Sequence, residues 1–277
     1  MDVRDRLARA ALGAAATVAS AGVILIALAV TAEGWRALPH LFGPVWSPED
    51  GRFGVLPLLA GSVLVTLGSL ALAVPVGVGV GLFLTEVATP RLAGAVRPVL
   101  QGMAAVPSVV FGFLGLNLIV PWVSRAFGGL GLSLLAGWLV LALMVLPTVA
   151  AVSEDALRAV DPALREGAYA LGATPGQVAW RVLLPAAKGG ITTAVILALG
   201  RALGETMAVL MVLGNAAAVP RSPLDPARTL TGNIALEMAY ATGRHREALF
   251  ASGALLLLIN LAVTQAARRA AGGRAAP

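Results

Sequence analysis

Long apolar runs separated by short polar breaks dominate the chain from end to end. A helix needs about 20 predominantly apolar residues to cross a hydrocarbon core of roughly 30 Å. Six runs approach or exceed that length: Ala11–Ala32, Leu58–Leu84, Val99–Val120, Leu130–Val152, Ile191–Gly214 and Leu249–Ala266. Pro75, Pro107 and Pro147 fall inside runs, where neighbouring helices can satisfy the carbonyls they free, so kinks are expected rather than breaks. The first run lacks a clear small-residue cleavage site before Glu33 and precedes five more, so it reads as a retained helix rather than a signal peptide. No internal duplication is evident. The expected fold class is an all-α polytopic membrane protein with six transmembrane helices.

One polar segment interrupts this pattern. Ser153 to Lys188 lies between the fourth and fifth runs and carries helix signals of its own. Asp161 can cap a helix that has Pro162 at its first position, where the missing N–H costs nothing. Gly172 can end that helix in the left-handed conformation. Thr174 and Gln177 stand in capping-box positions for a second helix, which Pro185 ends. The segment is expected to form two short helices joined at a glycine, a knob beside the membrane. It is either a docking element or a self-packed loop.

Composition agrees with a membrane location. Of 277 residues, 58% are hydrophobic and 12% charged, against about 25% charged in an ordinary soluble domain. Cysteine is absent, which removes disulfides, thiol nucleophiles and thiolate metal sites. The two histidines, His40 and His245, fall outside the runs, so no His/Cys metal site is available to a membrane-embedded enzyme. The net charge of +6 resides in arginines at the edges of apolar runs, a membrane-flank pattern rather than a nucleic-acid stripe. A P-loop ends in Gly-Lys-Ser/Thr, but the single lysine, Lys188, is followed by Gly189-Gly190, so ATP is not bound in cis.

Basic residues also set an expected orientation. Arg4, Arg6, Arg9, Arg91, Arg97, Arg158, Arg165, Arg181, Lys188, Arg268, Arg269 and Arg274 fall on one side, with both termini and the knob. Arg36, Arg52, Arg125, Arg221, Arg228, Arg244 and Arg246 fall on the other. Both termini are therefore expected in the cytoplasm. Trp35 and Trp122 sit at expected outer boundaries, as interfacial anchors or as packing residues.

The fifth run contains an arginine and a glutamate within Gly200-Arg201-Ala202-Leu203-Gly204-Glu205-Thr206. Arg201 lies about ten residues past the start of the run, roughly 15 Å deep. Arg or Asp at a helix centre costs about 2.5–3.5 kcal/mol on insertion scales, so such groups pair or line a wet cavity. In a continuous helix Arg201 and Glu205 share a face and can neutralise each other. Alternatively they flank an anion path, since guanidinium holds oxyanions in a bidentate fork and stays charged. Gly200 and Gly204 have GxxxG spacing, which permits close helix packing. In the loop Asn215–Arg246, Pro220, Pro223 and Pro226 favour extended chain. Thr229–Ala241 is expected to form a helix too short to span, interfacial or re-entrant, whose polar residues Thr229, Thr231 and Asn233 have no assigned role.

Two sets of residues carry a family resemblance. Glu166-Gly167-Ala168, three residues, Gly172, nine residues and Val182-Leu183-Leu184-Pro185 resemble the EAA loop of binding-protein-dependent ABC importer permeases, with Gly167 for the middle alanine and Val182 for isoleucine. Gly200–Val209 through Gly214-Asn215, with Phe53–Leu59, Ala105–Phe113 and Thr229–Met238, resembles phosphate importer permeases of the PstC type. The resemblance implies a type I importer permease (MetI-like) fold. It also implies that Glu166, Ala168 and Gly172 contact a separate ATPase subunit and that Arg201 and Glu205 lie on the substrate pathway.

Implied partners are a PstA-type sister permease in a heterodimer, two PstB-type ATPase subunits that bind the ATP and magnesium, and a PstS-type extracytoplasmic phosphate-binding protein. The implied location is the bacterial inner membrane, and the chain itself is expected to be non-catalytic. The implied division is an N-terminal tail (1–10), a first helix with its outer loop (11–57), a permease core (58–268) and a C-terminal tail (269–277). Within the core lie the coupling loop (153–188) and the outer loop (215–246). A permease for sulfate or molybdate is the alternative within this class. A stand-alone channel or secondary carrier is the alternative outside it.

Overall fold

The computed structural model describes residues 3–272, and side chains from residue 11 onward except at His40, 267 and 270–272. The expected tails, with Arg4, Arg6, Arg9 and Arg274, lie wholly or partly outside the described residues or side chains. Among the described residues the chain folds as helices with one small hairpin, β1 (Trp46–Ser47) paired antiparallel to β2 (Arg52–Phe53).

Helix α1 (Val3–Gly34) packs antiparallel on α13 (Gly243–Gly272), with Gly34 against the backbone of Ala251 and Val30 beside Gly253. The centre of the bundle is the parallel pair α2 (Leu56–Glu86) and α6 (Leu134–Arg158). These helices approach closely because glycines line the contact: Gly68 meets the Trp138 ring, Gly77 meets Val149, and a Cβ at Gly81 would stand 2.9 Å from Glu154 N. Trp138 Nε1 donates to Leu64 O at 2.9 Å, so the indole crosses between helices without an orphaned N–H. Pro75 and Pro147 lie within these two helices. Val65, Leu141, Met144, Val145 and Val149 fill the core between them.

Two expected spans are corrected. The third does not begin at Val99. Residues up to Ala105 belong to a separate helix, α3 (Pro90–Ala105), capped by Thr89 and packed through Ala93 and Leu100. The crossing helix starts at α4 (Ser108–Leu114) and continues through a π-helical turn, Gly115–Ile119, into α5 (Val120–Phe127). Pro107 separates the two because Val106 before it is extended, at φ −65° and ψ 130°.

The fifth span is not one helix. After the knob helices α7 (Pro162–Ala170), α8 (Pro175–Val178) and α9 (Leu184–Ala186), the chain bends by 70° into α10 (Lys188–Leu203). Helix α10 stops at Gly204, and α11 (Met207–Val212) resumes beyond a break. Helix α11 is packed into the bundle by Ala208 against Gly112 and Val212 against Gly115. Among the described residues, five helices are long and apolar enough to cross a membrane, or six if a bent pair counts as one span.

Beyond α11 the chain reverses at Gly214 (φ +78°) and Asn215 (φ +55°), both left-handed. It then dips back to form α12 (Leu230–Glu237). Thr229 caps α12 by accepting from Gly232 N, and Ser62 of α2 accepts from Leu230 N at 2.9 Å. The expected short helix is therefore present, but it is buried: Thr229, Thr231 and Asn233 are at most 9% exposed.

Candidate functional site

The knob has the expected local architecture. Asp161 Oδ1 accepts from Ala163 N at 2.9 Å and starts α7. Gly172, at φ +80°, ends it in the conformation that glycine adopts without strain. Thr174 and Gln177 complete a reciprocal capping box at α8. Pro185 differs from expectation, lying within α9 rather than ending the segment, and the turn comes at Ala187.

Of the expected contact residues, Glu166 and Gly172 are exposed, whereas Ala168 is half-buried against Leu157, Val178 and Leu183 beneath the knob. Exposed apolar area comes instead from Leu171 (91% exposed) and Trp180 (72%), with Leu164 and Tyr169 beside them. Exposed large apolar side chains on a segment otherwise rich in polar residues are a feature shared with docking surfaces. The family pattern does not point to these residues.

The knob is tied to the bundle by charge. Arg165 Nη2 of α7 pairs with Glu86 at the end of α2. Next to it, Glu154 of α6, 7% exposed, accepts from Arg97 Nε of α3 at 2.8 Å and Arg158 Nη2 at 2.9 Å. The Arg165–Glu86 and Arg97–Glu154 pairs join α7 and α3 to the ends of spanning helices, while Arg158–Glu154 lies within α6.

Within the bundle, the Arg201–Glu205 pair, one of two readings of these charges, does not form. Helix α10 ends between the two residues, so the i,i+4 face they would share does not exist. Glu205 Oε1 turns forward and accepts from Ala208 N at 3.0 Å, capping α11. Glu205 O accepts from Thr231 Oγ1 at 2.8 Å, which satisfies a carbonyl that the break exposes. Gly204 lies outside the helix, and Gly200 has only Asn260 Oδ1 near its missing side chain, so the two glycines make no close helix contact. Among the described residues Arg201 has no ion-pair partner. Its half-buried side chain lines a cavity of about 460 Å³ between α10 and α13.

On the side away from the knob lies a buried charge cluster. Arg228 donates to Asn215 O (Nε, 2.7 Å), Asn233 Oδ1 (Nη1, 3.0 Å) and Glu237 Oε1 (Nη1, 2.7 Å). Glu237 Oε2 accepts from Trp46 Nε1 at 2.9 Å and lies 2.8 Å from His245 Nε2. His245 stacks on Phe53, so the cluster joins the hairpin, the re-entrant α12 and the start of α13. Sequence patterning missed it, because its members are scattered from residue 46 to residue 245 and each alone resembles a loop residue.

A bundle with a broken span, a buried re-entrant helix and a charge-anchored helical knob on one side fits a transporter permease. Residues 73–271 match the family described as binding-protein-dependent transport system inner membrane component, and the chain belongs to that family. Among similar proteins, the probable ABC transporter permease protein YqgH of Bacillus subtilis is 39% identical over 78% of this chain and 71% of its own. The phosphate transport system permease protein PstC of Pasteurella multocida is 36% identical over 80% of this chain and 76% of its own.

Solved structures agree on the fold. A chain of a bacterial ABC transporter that imports the acidic polysaccharide alginate aligns with TM-score 0.65 at 16% identity, covering 99% of this chain and 97% of that one. A chain of the MetNI methionine ABC transporter, in inward-facing conformations, aligns with TM-score 0.58 at 23% identity, covering 79% and 94%. The MetI-like importer permease fold expected from the resemblance is the fold observed.

Proposed function

We propose that this chain is the PstC-type permease subunit of an ATP-driven importer for inorganic phosphate. The observation that carries the reading is the similarity to relatives named PstC, at 36% identity over 80% of the chain in one case and 32% over 96% in another. The chemistry of the bundle supports it. An unpaired guanidinium half-buried in a groove attracts an oxyanion and offers a bidentate fork.

In this reading the knob faces the cytoplasm, with both termini, in a bacterial inner membrane. Glu166, Gly172, Leu171 and Trp180 meet a PstB-type ATPase, which binds ATP and magnesium and carries out the hydrolysis. The chain itself performs no catalysis. A PstA-type permease completes the pore, and a PstS-type protein delivers phosphate from outside. Closure of the ATPase pair pushes the knob, and the Arg165–Glu86 pair passes that movement to α2. Arg201 and Glu205 lie beside the helix break on the pathway, where Glu205 holds α11 in register and Arg201 holds the anion.

Uptake of phosphate by the assembled complex in proteoliposomes tests the reading. Replacement Arg201→Gln should abolish uptake while the ATPase still co-purifies. Normal uptake by that variant would remove Arg201 from the pathway. Stimulation of ATP turnover by sulfate or molybdate, but not by phosphate, would reassign the substrate.

A further inference from the structure

Polar side chains line the groove well past Arg201, interspersed with the apolar Ile196 and Leu197. Helices α10 and α13 run antiparallel, with Gly200 opposite Asn260 and Thr193 toward Arg268. On α13, Asn260, Thr264 and Arg268 recur every four residues, so they form one stripe. At 1.5 Å per residue that stripe is about 12 Å long. Arg201 and Asn260 mark its deep end and Arg268 its mouth on the knob side, with the Thr264 hydroxyl between and Thr193, whose hydroxyl donates to Gly189 O at 3.0 Å, alongside. Among the described residues no carboxylate lines it. Among the described residues neither Arg201 nor Asn260 makes a side-chain hydrogen bond within the protein. An arginine left unpaired toward lipid costs about 2.5–3.5 kcal/mol on insertion scales, so this face is built for water and a polar guest.

We propose that Asn260, Thr264 and Arg268 form the inner half of the path for a tetrahedral oxyanion, receiving it from Arg201 and releasing it at the end of α13. The proposal rests on the reading above that places Arg201 on that path. A single deep guanidinium would hold an oxyanion too well to pass it on, and conduction needs several sites of moderate strength. The stripe supplies them in graded order. Arg201 is half-buried, where charge interactions are strong, while Arg268 is exposed, where water weakens them. The Asn260 amide and the Thr264 hydroxyl offer neutral donors between, replacing hydration without adding charge. The grip therefore loosens toward the knob side, and release follows from the gradient of exposure.

Because the chain contains no cysteine, single Asn260→Cys and Thr264→Cys variants can be probed in membrane vesicles of the assembled complex with a charged thiol reagent, with labelling read on this chain and the parent complex as background. Both should react, faster from the knob side, and inorganic phosphate with ATP should slow the reaction. The Arg268→Gln variant should lower the maximal uptake rate about tenfold, the worth of one charge-assisted contact, and Arg268→Lys should restore most of it. Failure of the charged reagent to react, or a reaction rate indifferent to any oxyanion, overturns the path even in a complex that imports phosphate normally. Protection by sulfate or molybdate but not phosphate supports the path and instead refutes the phosphate assignment.

Discussion

Glu237 holds together three parts of the chain that are far apart in sequence, and removing it should cost more than any surface change. Its carboxylate, 8% exposed, pairs with Arg228, 19% exposed, and also accepts from Trp46 Nε1. Replacement Glu237→Ala leaves the Arg228 charge buried without its counter-ion, a loss of about 3–5 kcal/mol. Arg228 keeps Asn215 O and Asn233 Oδ1 and some solvent, which places the loss near the lower end, about 3 kcal/mol. The orphaned Trp46 N–H adds about 1 kcal/mol.

The total expected destabilisation is about 4 kcal/mol. The double variant Arg228→Met with Glu237→Leu removes both charges and should cost only about 1–2 kcal/mol, because apolar residues repack a buried ion-pair site at little expense. Unfolding of the purified chain in mixed micelles with increasing SDS, followed by tryptophan fluorescence, measures both. A single variant within about 0.5 kcal/mol of the wild type, or a double variant whose cost equals the sum of its singles, would falsify the account of this cluster.

Two further changes probe the knob. Gly172→Val places a β-branched residue at φ +80°, at a cost of about 1–2 kcal/mol. It should reduce co-purification of the ATPase, whereas Gly172→Asn, which tolerates that conformation, should largely preserve it. Glu86→Gln removes the charge partner of Arg165, worth about 1 kcal/mol for a partly exposed pair. It should leave ATP hydrolysis intact while lowering phosphate moved per ATP consumed. An unchanged ratio in reconstituted complexes would show that the pair transmits nothing.

The sequence by itself determined what depends on neighbours a few residues apart. Asp161 before Pro162, Gly172, and Thr174 with Gln177 state their roles locally, because a cap is satisfied within three residues and a left-handed turn needs only a glycine. The spans were legible for a similar reason, since hydrocarbon imposes one length and one composition on any crossing helix. Tertiary structure alone decided where that pattern fails. Val99–Val120 reads as one apolar run in sequence, yet only the structure shows that its first part, up to Ala105, belongs to α3.

Arg201 and Glu205 likewise look like a helical pair. The helix ends between them because Ala208 N and the Thr231 hydroxyl, brought in by the re-entrant α12, satisfy groups on Glu205 in a way a continuous helix could not. The Trp46–Glu237–Arg228 cluster is the extreme case, a bond across 191 residues. Periodicity carries no information about which distant polar groups will meet. Burial made their meeting necessary, because an ion left alone in a low-dielectric interior is costly enough to decide how the loops fold.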